Sequence, residues 1–178
     1  ISMIQYRTLS EHELCRGLFR DFIRHQVVTK CWRKEHNEWL IKDAPFIDNW
    51  TESDYDFLVS CLKHTLSAGG FVYAAFCGNA LKGFVSVESG LFGGAQKYLD
   101  LTSLHVSEDM RGSGIGTALF CAAKDWAKKN GAEKLYISAH SAEETMAAYR
   151  ALGCVEAEEI NWDLAKKEPC DVQMEYSL

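Results

Sequence analysis

Seven consecutive residues carry the strongest chemical signal in the chain: Arg111-Gly112-Ser113-Gly114-Ile115-Gly116-Thr117. Alternating glycines let the backbone turn sharply and approach a ligand without Cβ collisions. A helical apolar pattern begins at Ile115, so the loop opens a helix. The first-turn N–H groups of a helix lack intrahelical partners, and its dipole is positive at that end. Together these features make a cradle for a phosphate or diphosphate, and Arg111 sets a permanent cation beside it. Other phosphate loops match less well. A Walker A loop ends in Gly-Lys-Ser/Thr, whereas Gly116 is followed by Thr117-Ala118. A dinucleotide fingerprint needs a third glycine where Thr117 stands. On these residues alone, a glycine-rich turn that binds nothing is the alternative.

The elements around the loop must position it. Met3 to Leu9 alternates weakly and reads as a strand. Ser10 and Glu13 form a capping box for a helix expected to run to about Arg24, with Leu14, Leu18 and Phe22 inward. Residues 25–50, with Trp32, Trp39 and Trp50 among many charges, show no readable period. Thr51 or Ser53 opens a helix through Leu66, closed by Gly69-Gly70. Phe71–Cys77 and Leu81–Glu88 read as a hairpin turned by Gly78-Asn79. A further glycine-rich turn leads into a strand at Tyr98–Val106. After the loop comes a helix to about Asn130, with Ile115, Leu119, Ala123 and Trp126 on one face. A strand (Lys134–Ala139), a short helix (Glu143–Ala151) and strands at Gly153–Trp162 and Val172–Leu178 complete the chain. The expectation is one domain spanning residues 1–178. It is of the α/β or α+β class: a mixed, mostly antiparallel sheet of about seven strands with helices on both faces.

Arg-x-x-Gly-x-Gly, here Arg111, Gly114 and Gly116, resembles the acetyl-CoA loop of the GCN5-related N-acetyltransferases (GNAT). Leu104-His105-Val106 looks like that family's fourth strand. Ala148-Tyr149-Arg150-Ala151-Leu152-Gly153-Cys154 is similar to its Tyr-x-x-x-Gly-Phe segment, with Cys154 in place of phenylalanine. An asparagine frequent in the family seven residues before that tyrosine is Ala142 here. The likeness covers roughly residues 71–162, and it implies the acyl-CoA N-acyltransferase fold with acetyl-CoA as cosubstrate.

Amide formation makes three demands. A lysine-like amine is neutral only about once in 2,500 molecules at pH 7, so the reaction needs a base or a site favouring the neutral amine. The developing oxyanion and the departing thiolate need donors. The resemblance implies that a backbone N–H near Leu104 polarises the acetyl carbonyl. It implies that the strand at Val106 pairs with the pantetheine arm, and that Gly112, Gly114, Gly116 and Thr117 hold the diphosphate. Tyr149 would protonate or hydrogen-bond the thiolate. Asp100 lies eleven residues before Arg111, where histone-acetylating members carry a catalytic glutamate. Glu88 and a water molecule are the rival bases. In a regular strand Asp100, Thr102, Leu104 and Val106 share one face and His105 the other, so His105 reads as structural. Glu88 and Trp32 are candidates to contact the acceptor. Trp39 and Trp50 either line that cleft or cover the sheet, and residues 161–171, with Glu168 and Asp171, would border it.

Composition narrows the alternatives. The chain has 178 residues and a formal net charge of −6, which argues against gripping nucleic acid phosphates. Seven cysteines, an odd number with no Cys-x-x-Cys pair, argue against a disulfide framework or a zinc site, so no metal is expected. No apolar run suffices for a membrane helix and no basic-then-apolar leader is visible, so a cytoplasmic protein is the expectation. Asp109 followed by glycines also resembles a loop that holds S-adenosylmethionine. Only about sixty residues follow it, too few for that fold. The expected function is acetyl transfer to a primary amine of a small molecule or peptide by direct attack in a ternary complex. The alternative is a non-catalytic acetyl-CoA-binding sensor. A homodimer is possible by analogy with relatives.

Overall fold

The computed structural model describes residues 3–178. Nine strands and four α-helices follow in the order β1 (Ile4–Thr8), β2 (His25–Glu35), β3 (Glu38–Asn49), α1 (Glu52–Ser67), β4 (Phe71–Cys77), β5 (Ala80–Val87), β6 (Tyr98–Val106), α2 (Ile115–Lys129), β7 (Lys134–Ala139), α3 (Glu143–Ala151), β8 (Val155–Glu156), α4 (Trp162–Ala165) and β9 (Val172–Ser177). Seven strands form one sheet in the order β1-β4-β5-β6-β7-β9-β8, while β2 and β3 make a separate hairpin. Among the described residues only the β6–β7 pair is parallel. The expected mixed, mostly antiparallel sheet is therefore observed.

Alternation along the central strands feeds two cores. On one face Val85, Leu99, Leu135, Ile137 and Met174 pack against Ile115, Leu119, Phe120 and Ala123 of α2. Gly83 sets the spacing there: a Cβ on it would lie 2.7 Å from Cγ2 of Ile115, so β5 and α2 approach closely only because it is glycine. On the other face Val72, Ala74, Phe76 and Phe84 meet Tyr55 and Leu62 of α1. Helix α1 starts where its capping chemistry says. The Thr51 hydroxyl accepts from the Asp54 N–H at 3.2 Å, and the Asp54 carboxylate accepts from the Thr51 N–H at 2.7 Å.

Three expectations are corrected. Residues 10–24 form two isolated 3-10 turns, Glu11–Glu13 and Arg16–Phe19, and no α-helix. The capping box at Ser10 is real, but Leu14 and Cys15 turn extended directly after it. That break lets Leu9, Leu14, Phe19 and Phe22 all reach the second core. Residues 25–49 are a long hairpin. Its tip residues His36 and Asn37 both have positive φ, as a two-residue type I′ turn requires. Most of its residues are at least partly exposed, so no face bears a clean apolar period. The strand expected at 153–162 is two residues long, and Trp162 opens the short α4 instead.

Candidate active site

Strand β6 is where the sheet divides. Its parallel pairing with β7 covers Tyr98–Asp100 against Lys134–Tyr136 and then stops. Beyond that point Leu101–Val106 stays paired to β5, and Ile137–Ala139 stays paired to β9. A wedge therefore opens between the C-terminal halves of β6 and β7, with Asp100 and Tyr136 at its apex. The hairpin closes over the far end of β7: the Trp32 N–H donates to the Ser141 carbonyl at 2.8 Å, and Arg33 donates to the Ser141 hydroxyl at 2.6 Å.

At the open end the chain passes through a 3-10 turn, Glu108–Met110, into the glycine loop. Lys82 pins this turn through Asp109 at 2.8 Å, and Arg111 donates to the His25 carbonyl at 2.8 Å. Gly112 and Gly114 have φ of +79° and +87°, left-handed values that other residues adopt at a cost. A Cβ at either would meet nothing within 4 Å, so the loop borders open space. Val106, Met110, Arg111, Gly112, Gly114, Ile115, Gly116 and Thr117 line a hollow of about 220 Å³. The amides of Gly112, Gly114, Gly116 and Thr117 have no protein partner among the described residues. The first helical N–H donors of α2 thus converge on an open hollow beside a guanidinium, which is the requirement for holding a diphosphate.

β6 departs from the expected regular strand. Ser86 pairs with Ser103 and Val87 with Leu101, which leaves Thr102 as an extra residue in a β-bulge. Side-chain parity reverses there. Asp100 and Thr102 lie on the α1 side of the sheet, with the Thr102 hydroxyl 2.7 Å from that of Ser86. Leu104 and Val106 lie on the α2 side, packed against the first core. The expectation that these four share a face is overturned by the bulge. His105 consequently joins the Asp100 side, in ring contact with Trp50 at 4.9 Å and Phe84 at 5.5 Å. Burial, with the charges of Arg24 and Arg111, pushes its pKa down to about 3, so the imidazole is neutral.

Asp100 and Glu88 come together. The Glu88 N–H donates to the Asp100 carbonyl at 2.9 Å, and Thr65 of α1 holds the Glu88 carboxylate at 2.6 Å. Asp100 is only 9% exposed. Burial and the adjacent Glu88 charge raise its pKa to about 7, against a smaller opposing pull from Lys167. Tyr149 lies on α3, half-buried against the first core. Its phenol is pushed well above the ordinary range, chiefly by burial and then by Cys154 and Asp171. Its hydroxyl makes no hydrogen bond among the described residues. Trp32 is not with the carboxylates: it packs against the first core, with the Arg150 guanidinium 4.8 Å from its ring. Trp39 donates to Glu156, and Trp50 joins the second core.

Sequence reading passed over Tyr136, Ser138 and Gln173, which line the carboxylate side of the wedge. Their signal was present as polar side chains at alternate positions of strands otherwise apolar on the opposite parity.

The acetyltransferase (GNAT) family model matches residues 29–154. The chain belongs to this family. Among solved structures, nourseothricin acetyltransferase superposes with a TM-score of 0.70 at 16% identity, over 98% of each chain. A streptothricin acetyltransferase candidate from Bacillus anthracis, in complex with acetyl coenzyme A, gives 0.70 at 16% identity over 99% of each chain. The PaiA N-acetyltransferase of Thermoplasma acidophilum, in complex with coenzyme A, gives 0.59 at 14% identity over 99% of each chain. At such identities these likenesses speak for the GNAT fold alone. None of the curated proteins is similar to this sequence at a significant level. Among the described residues no helix is long and apolar enough to cross a membrane, and no group of side chains is placed to hold a metal ion.

Proposed function

We propose that this GNAT chain transfers an acetyl group from acetyl-CoA to a primary amine by direct attack within a ternary complex. The observation that carries the reading is the run of unpaired amides at Gly112, Gly114, Gly116 and Thr117, facing an open hollow at the mouth of the wedge. These amides and Arg111 hold the diphosphate. The free edge of β6 from Leu104 to Val106 pairs with the pantetheine amides, and a backbone N–H near Leu104 donates to the thioester carbonyl as it gains charge.

Asp100 acts as base from the other side of the sheet. A carboxyl with a pKa near 7 is half ionised at neutral pH and is a far better proton acceptor than an ordinary aspartate. The amine lone pair forms the C–N bond, and the C–S bond breaks as the tetrahedral intermediate collapses. Tyr149 donates a hydrogen bond to the leaving thiolate. Its raised pKa keeps the phenol protonated, so it works as a fixed donor more than as a proton source.

Calorimetric titration with acetyl-CoA, paired with thiol release across a panel of amines, tests the reading. Saturable binding and turnover with some primary amine are expected; no heat on titration with acetyl-CoA would end it. A Tyr149→Phe protein that turns over at the parent rate would remove that residue from the mechanism.

A further inference from the structure

The face that carries Asp100 continues across the wedge onto β7 and β9. Residues paired across neighbouring strands point the same way. Asp100, its partner Tyr136, Ser138 two positions on, and Gln173 opposite Ser138 therefore share that face. A directed hydrogen-bond chain runs along it. The Tyr136 hydroxyl donates to Oε1 of Gln173, Nε2 of Gln173 donates to Oγ of Ser138 at 3.0 Å, and Ser138 donates to Oδ2 of Asp171 at 3.1 Å. Each donor points toward Asp171, so its carboxylate is held in place on the far bank of the wedge. The Asp171 N–H donates to the Glu168 carbonyl at 3.0 Å, which brings a second carboxylate into the same turn.

The two banks are short of counter-charge. Asp100 is nine-tenths buried, and its carboxylate has no hydrogen-bond partner among the described residues. Glu88 stands beside it. Asp171 is half-buried, and burial, against the opposing pull of the Ser138 hydrogen bond and helped by the Glu168 charge, pushes it up to about 6. Lys167, itself exposed, is the cation that opposes the shift of Asp100. A ligand that is positive at two separated points relieves both banks at once, whereas a single ammonium relieves one.

Resting on the acetyl-transfer reading above, we propose that the acceptor is an aliphatic diamine or longer polyamine. One of its amino groups reacts on the Asp100–Glu88 bank. A second, kept as an ammonium, pairs with Asp171 and Glu168 across the wedge. Asp171 lies beyond the β9 residue level with Asp100, but its carboxylate reaches back to 3.1 Å from the Ser138 hydroxyl, one strand over from Asp100 and two positions along. One strand spacing of about 4.8 Å, about 6.6 Å of strand and that contact put the two carboxylates roughly 11 Å apart, a span that a four- or five-carbon diamine bridges with an ion contact at each end. The reacting ammonium yields one proton to Asp100 and forms the C–N bond as the C–S bond breaks. Its second proton goes to the thiolate of coenzyme A, while the distal ammonium keeps all of its own.

The test compares kcat/KM for 1,5-diaminopentane and 1-aminopentane at saturating acetyl-CoA. A preference of about 30-fold for the diamine is expected from one partly buried ion pair. Asp171→Asn keeps an oxygen for Ser138 and should reduce that preference to within about threefold. The readout is a ratio within one preparation, so partial loss of folded protein does not move it. A parent ratio near one, or a ratio that survives Asp171→Asn, overturns the proposal. Titration with acetyl-CoA in the same samples separates the two levels. Binding with equal turnover of both amines sinks the diamine and leaves acetyl transfer standing; absence of binding and turnover sinks both.

Discussion

In the proposed function, the glycine loop and the acceptor side of the wedge solve recognition by different means. The loop works with backbone: amides free at a helix start, and two glycines at left-handed φ. The proposed acceptor side would work with side chains from the residue after β5, from β6 and β7 and from the turn before β9, held by hydrogen bonds such as Thr65 to Glu88 and Ser138 to Asp171. Backbone recognition restricts residue type at fixed spacing, because few residues other than glycine take that geometry cheaply. Side-chain recognition restricts only what meets in space. Its members are scattered along the chain and leave no local pattern.

That contrast can be pressed from both sides. The largest effect belongs to the loop. Gly116→Glu keeps the fold, since a Cβ there makes only an ordinary 3.7 Å contact with Val106. It sets a carboxylate among the amides, so calorimetry should find acetyl-CoA affinity reduced by about 100-fold or more. Next in size is Tyr149→Phe, expected to lower kcat by roughly 30- to 100-fold with the acetyl-CoA Kd little changed. Equal losses in both would mean that the hydroxyl serves the ground state.

Asp100 tests the side-chain half. The base must be ionised, so kcat/KM of the parent should climb with pH through about 7. In Asp100→Asn that climb should flatten and the value at pH 8 fall by about 30-fold. The stability sign is opposite. A carboxyl raised in the folded state holds its proton to higher pH than in the unfolded chain. Its effect on stability is therefore mildest in acid and grows more unfavourable as pH rises from about 4 to 7. Asp100→Asn should melt roughly 2–6 °C above the parent at pH 8, and the gap should close near pH 4. The smallest effect is Thr51→Ala, which removes the cap of α1, the helix that carries Thr65. A loss of about 1 kcal/mol, or roughly 2–4 °C in Tm, is expected with acetyl-CoA affinity intact.

Much of the fold was legible wherever local signals agreed. The hairpin at Gly78-Asn79, the α2 stripe and the Thr51 cap all lie where pattern and turn chemistry place them. Residues 10–49 were not legible, for a physical reason. The capping box at Ser10 promised a helix, but tertiary packing of Leu14 and Phe19 broke it into single turns. The following hairpin stays largely exposed on both faces and so shows no period. Of the candidate site, the loop glycines and Val106 line one hollow, and Asp100 and Glu88, read from sequence as rival bases on neighbouring strands, lie side by side, whereas Trp32 packs against the first core beside Arg150 of α3. The parity of β6 failed at one residue, Thr102, because no local signal announces a bulge without glycine or proline.

That one extra residue gives β6 two jobs. Below it Asp100 and Thr102 face the α1 side of the sheet; above it, Leu104 and Val106 face α2. Deleting Thr102 would alter neither net charge nor core composition, yet it would rotate half a strand and turn Asp100 to the other face of the sheet. If the proposed function holds, the length of this strand is as much a part of the catalytic apparatus as any side chain on it.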